Sequence, residues 1–94
     1  MRSHAERARL MVRASRNRYA PKHLGKKMRA IRDSLGLTQI EMCYRLGFKT
    51  ILPGHISEYE SGKRVPPYLV TLKYAKLAGI STDVLIDDNR RLDL

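Results

Sequence analysis

The side chains that could do chemistry are few, and their spacing does not suit catalysis. The histidines His4, His23 and His55 are scattered and lack metal-ligand spacing. Glu58 and Glu60 lie two residues apart, so on a helix they point in different directions and cannot act as an acid/base pair on one substrate. The single cysteine, Cys43, excludes an internal disulfide and a multi-cysteine metal site. No glycine-rich phosphate loop follows a strand. These residues predict no enzyme, no metal and no cofactor. The chemistry that remains is charge. Nineteen Lys and Arg face nine Asp and Glu, a net charge of +10 on 94 residues. Such a balance calls for a polyanionic partner, either nucleic acid or an acidic membrane surface.

The charge is unevenly spread. Residues 1–22 carry seven basic residues against one acid, Glu6, and the rest of the chain carries twelve against eight. Residues 1–21 therefore read as a basic arm or a frayed helix. Two readings stay open for them: a tail that only adds solubility, or an arm that follows the phosphate backbone or enters a minor groove. No apolar run approaches a membrane span and no secretory signal is visible, so the expectation is a cytoplasmic protein with no membrane partner.

The remaining residues must be positioned by helices. Hydrophobic residues make up 43% of the chain, breakers sit between the periodic segments, and no alternating strand pattern is present. Leu24, Met28, Ile31 and Leu35 recur at helical spacing over residues 22–35, with Lys26, Lys27 and Arg29 off that stripe, and Gly36 ends the segment. Thr38 reads as an N-cap with Glu41 completing a capping box. The helix that follows carries Met42, Cys43 and Leu46 on one face and stops at Gly47. Cys43 reads as a small buried hydrophobe. Pro53 suits the first position of a third helix, which runs through Ile56 and Tyr59 to Gly62. Pro66 and Pro67 bar a helix through the next loop. A fourth helix is expected over residues 67–78, with Leu69, Leu72, Ala75 and Tyr74 inward, stopped by Gly79. Ser81 caps a last helix over 82–86, with Ile80, Val84 and Leu85 closing the core. Residues 89–94 read as a fraying tail, in which Leu92 and Leu94 are available to a partner subunit. The expected core is Met28, Ile31, Leu35, Met42, Leu46, Ile56, Leu72 and Ile80.

The run LTQIEMCYRLG followed by ISEYESGKRVP, with LGKKMRAIRDSLG upstream and LKYAKLAGISTDVLI downstream, resembles the Xre-like helix-turn-helix family of the phage Cro and lambda repressors. The resemblance covers residues 24–88. It implies an all-α, five-helix lambda-repressor-like DNA-binding domain over residues 22–88. It also implies that Gln39 holds a phosphate at the start of the second helix. Arg32 of the first helix and Glu60 of the third then form an ion pair tying those helices together. The positions that match the family's base readers are Pro53, Gly54, His55, Ser57 and Glu58. Of these His55 and Glu58 have the most to offer base edges. One departure stands out: residues 48–55 make the connection between the two helices of the motif longer than the family's by about three residues.

Lys49, Thr50, Lys63 and Arg64 flank the third helix and suit phosphate contacts, which position without specifying. Together the residues and the resemblance lead to sequence-specific double-stranded DNA binding in transcriptional regulation, by a homodimer on two half-sites. The alternative is an antitoxin-type module that neutralises or recruits a protein partner.

Overall fold

The computed structural model describes residues 20–94. The proposed arm, residues 1–21, lies outside them save for Ala20 and Pro21. The described chain is all-α, with no strand among the described residues. Its helices are α1 (Leu24–Ser34), α2 (Gln39–Leu46), α3 (Pro53–Ser61), α4 (Tyr68–Ala78) and α5 (Thr82–Ile86). Local signals set most of these limits. The Thr38 hydroxyl accepts from the Glu41 amide at 3.1 Å, and the Glu41 carboxylate accepts from the Thr38 amide at 3.0 Å. The Thr38 amide, followed by its hydroxyl, holds the Glu41 carboxyl below its usual range. Gly47 and Gly62 leave α2 and α3 at φ 74° and 80°, a left-handed turn that other residues adopt at a steric cost. The last helix starts as expected, with the Ser81 hydroxyl accepting from the Asp83 amide at 3.3 Å.

One core unites the five helices. It is built from Leu24, Met28 and Ile31 of α1, Met42 and Leu46 of α2, Ile56 and Tyr59 of α3, Val70, Tyr74 and Ala75 of α4, and Leu85 of α5. Each large side chain so buried contributes about 1.5–3 kcal/mol. The most extensive helix contacts are those of α3 with α1 and with α2. The core thus has α3 as its shared wall. Leu35 and Ile80 are only half-buried at its edge.

Two expectations about which side chains face inward are corrected. The inward face of α4 is Val70, Thr71, Tyr74 and Ala75, whereas Leu69 is exposed and Leu72 lines a shallow groove with Phe48, Lys73 and Lys76. The sequence of α4, YLVTLKYAKLA, is apolar almost all round, so periodicity alone cannot choose its inner side. Lys27 is not a surface residue. It is 8% exposed, and its ammonium donates to the carbonyls of Val84 at 2.8 Å, Asp87 at 3.1 Å and Arg90 at 2.9 Å. Its three protons serve one carbonyl of α5, that of Val84, and two of the segment that follows it.

That contact also draws in the end of the chain. The Asp88 carboxylate accepts from the amides of Lys22 and His23 at 3.0 and 3.1 Å, which caps the start of α1 and begins that helix at Leu24. Those backbone donors, Lys22 first, hold the Asp88 carboxyl below its usual range. Leu92 packs against the chain's own core, leaving Leu94 exposed.

Candidate nucleic-acid interface

The elements around α3 fix it from the inside. Pro53 opens the helix, and Leu52 precedes it in an extended conformation. Leu52 has no side-chain acceptor for a cap, but its amide donates to Nδ1 of His55 at 3.0 Å. Ile56 and Tyr59 turn inward and are fully buried, as their spacing predicts. At the far end the Gly62 amide donates to the Tyr59 carbonyl and the Lys63 amide to the Glu58 carbonyl. This closes the helix by the reversal typical of a left-handed stop.

α1 crosses the end of α3 at very short range. A Cβ on Gly25 would come within 2.6 Å of the Tyr59 carbonyl oxygen and 2.7 Å of the Glu60 carbonyl oxygen. Only a residue without a side chain lets the two backbones approach so closely. Gly25 was not singled out from the sequence, although a lone glycine inside a helical pattern is the signal for such a contact.

Arg32 and Glu60 meet beside that crossing. Arg32 Nε donates to Glu60 Oε2 at 2.7 Å and Nη2 donates to Oε1 at 2.9 Å. Nη1 donates to the Leu37 carbonyl at 2.9 Å. The side chains are 12% and 6% exposed. The hydrogen bonding of the guanidinium to the Glu60 carboxylate pushes the Arg32 pKa above its ordinary value. One guanidinium therefore joins α1, α3 and the turn before α2. Gln39 adds its amide to Glu60 Oε1 at a long 3.4 Å and is half-buried. With Arg29, Arg32, Ser57, Glu60 and Ser61 it lines an open, polar cleft of about 260 Å³. The sequence reading had not connected Arg29 and Ser61 with Gln39.

The outer side of α3 is different. Pro53, Gly54 and Ser57 are exposed, and a Cβ on Gly54 would meet nothing within 4 Å. His55 is half-buried. With Nδ1 accepting from Leu52 its ring carries the proton on Nε2, which makes that nitrogen a donor to whatever approaches. Glu58 does not stand alone: Arg64 Nε donates to its Oε2 at 2.5 Å, and this bond lowers the Glu58 pKa. Lys63 is exposed beside the pair.

The long connection from α2 to α3 does not hang free. Phe48 and Ile51 pack against the core, and Cys43 Sγ donates to the Ile51 carbonyl at 3.1 Å. Lys49 and Thr50 are left as its exposed tip. The extra length is thus taken up by two inward anchors, and α3 still seats on α2 through Ile56.

The structure brings Gln39, Ser57 and Glu60 to one cleft and gathers Glu58, Lys63 and Arg64 apart from it, around the turn that ends α3. Lys49 and Thr50 sit before the helix, in the connection. Among the described residues no group of three or more His, Cys, Asp or Glu is placed to hold a metal ion. No helix among them is long and apolar enough to cross a membrane. A family model described as a helix-turn-helix domain matches residues 25–90. No curated protein and no solved structure matches the chain.

Proposed function

The chain belongs to the helix-turn-helix domain family, and from that premise we propose that it is an Xre-like, sequence-specific binder of double-stranded DNA acting in transcriptional regulation. The observation that carries this reading is the two-sidedness of α3. Its inner face is locked to α1 and α2, while its outer face carries His55, Ser57 and Glu58 outside the core, on a chain of net charge +10. A major groove is wide enough to admit a helix, and a rigidly seated one can read bases there. In this reading His55 donates through Nε2 to a base edge, with Ser57 and Gly54 against the same groove. Gln39, Lys49, Thr50 and Lys63 hold phosphates and set register.

Residues 1–21 act as an arm that adds phosphate contacts. Ala20 and Pro21 line one shallow cleft with Gly62, Arg64 and Val65, so the arm joins the domain beside the end of α3, which supports this role. The active species is a homodimer, since one α3 offers few readers and a second copy doubles the site. Exposed Tyr68 and Leu69 on α4 support association between copies.

Random-site selection with the full chain tests the reading. The expected result is a motif with two related half-sites. Lys63→Ala should weaken good and poor sites alike and lower the salt slope by about one counterion, and removing residues 1–19 should flatten it further. Enrichment of no motif, with binding equally tight on every sequence, would reject sequence-specific recognition.

A further inference from the structure

The ion pair at the far end of α3 is hard to explain as a part of the fold. The Arg64 and Glu58 side chains are 51% and 38% exposed, and a lone exposed pair adds little to stability. Yet Arg64 is tied to Glu58 twice. Its amide donates to the Glu58 carbonyl at 3.2 Å, next to the Lys63 amide at 2.9 Å, and its guanidinium returns across the Gly62 turn to the Glu58 carboxylate. Glu58 lies one turn from His55, on the outward side of the helix. A side chain from the loop is therefore brought back onto the face that the proposed function turns toward DNA.

We propose that Arg64 is the guanine-reading side chain of this face and that Glu58 is its positioning residue, not a reader of bases itself. The inference rests on the DNA-binding reading above and deepens it. Its chemistry follows from the donor count. A guanidinium has five N–H groups, and the carboxylate engages the one on Nε. Among the described residues the two terminal nitrogens keep their four, along the edge that matches O6 and N7 of guanine in the major groove. Holding the side chain in advance reduces the freedom it must lose on binding. The guanidinium also balances the charge of the carboxylate, which alone would be repelled by DNA phosphates. Were Glu58 the reader, an oxygen would have to serve cytosine N4 while the other stays on Arg64.

Selection and binding measurements on the full chain with E58Q and R64A separate these roles. Glutamine keeps an acceptor oxygen for the Arg64 Nε–H, but as a reader in its own right it prefers adenine. The expected result is guanine at one position per half-site for the unaltered protein and the same base, bound more weakly, for E58Q. R64A should lose that preference, with discrimination falling about tenfold. Replacing the guanine by 7-deazaguanine, which lacks N7, should weaken the unaltered protein by a similar factor and leave R64A unmoved. A switch to adenine in E58Q, or guanine preference retained in R64A, overturns the assignment. If the unaltered protein enriches no sequence, the DNA-binding reading fails and this inference falls with it.

Discussion

The two sides of α3 obey different rules. On the inner side every contact is specific: Ile56 and Tyr59 are buried, Glu60 is held by two nitrogens of one guanidinium, and the backbone lies against Gly25 with no room for a methyl group. On the outer side Pro53, Gly54 and Ser57 touch little, and the one bonded pair, Glu58 with Arg64, is open to solvent. The difference separates what holds the helix from what the helix can present. Changes to the inner side should register as lost stability. Changes to the outer side should leave stability alone and register in what is bound.

The largest expected effect comes from the ion pair. Glu60→Ala leaves the Arg32 guanidinium with the Leu37 carbonyl and the exposed Asp33 carboxylate, 3.6 Å from Nη1, and without its buried partner. The loss should be about 3 kcal/mol, the lower end for a buried pair because the neighbouring cleft admits solvent. Urea unfolding of Arg32→Ala, Glu60→Ala and the double variant gives the coupling directly. If the two losses simply add, the pair does not tie α1 to α3 and the contrast between the two sides weakens.

Gly25→Ala should come next. The added methyl meets backbone oxygen atoms, which cannot rotate away as a side chain would, so α1 and α3 must separate. A cost of about 1–3 kcal/mol is expected from overpacking, read as a lower thermal midpoint. Ordinary helix propensity predicts the opposite sign, since alanine is the better helix former. A stabilised Gly25→Ala would mean that the helices are not so close.

These two cases also show what was legible in the sequence. Thr38 with Glu41, Pro53, Gly47 and Gly62 act through neighbours in the chain, and a local signal is enough to read them. The fold class followed from them and from the stripe Leu24, Met28 and Ile31. Gly25 and Lys27 act through partners far along the chain, Tyr59 in one case and Val84 in the other, and nothing adjacent to them names those partners. The facing of α4 was hidden for another reason: both of its sides are apolar, so Leu69 and Leu72 competed on equal terms with Val70. At the candidate site, position along α3 was legible and pairing was not. Glu58 meets Arg64 only because the left-handed turn at Gly62 sends the chain back.

Gly54→Ala is the counterpart of Gly25→Ala on the open side. The methyl finds empty space, and φ at Gly54 is not positive, so nothing opposes it. Stability should rise by about 0.5–1 kcal/mol through the smaller entropy of the unfolded chain. The same chemical change thus carries opposite signs at two glycines that belong to two contacting helices. If Gly54→Ala also weakens DNA binding while raising the thermal midpoint, the outer face is where the duplex lies.

The smallest effect is a pH dependence at the foot of α1. Asp88 accepts from the Lys22 and His23 amides and so secures the first turn of α1, the turn that carries Gly25. Those bonds hold its folded pKa below the unfolded value, which is about 3.9 for aspartate. The unfolded chain therefore takes up the proton first as pH falls. The stabilisation is complete above that value and is lost as pH drops through the folded pKa. Asp88→Asn should be slightly less stable than the unaltered protein at neutral pH, and the two should converge as acid protonates Asp88 in the folded state. Amide exchange at the start of α1 should quicken in the variant, with exchange across α3 following only if the first turn of α1 helps to seat it. Parallel stability curves at all pH values would show that the Asp88 carboxylate does not clasp the helix start.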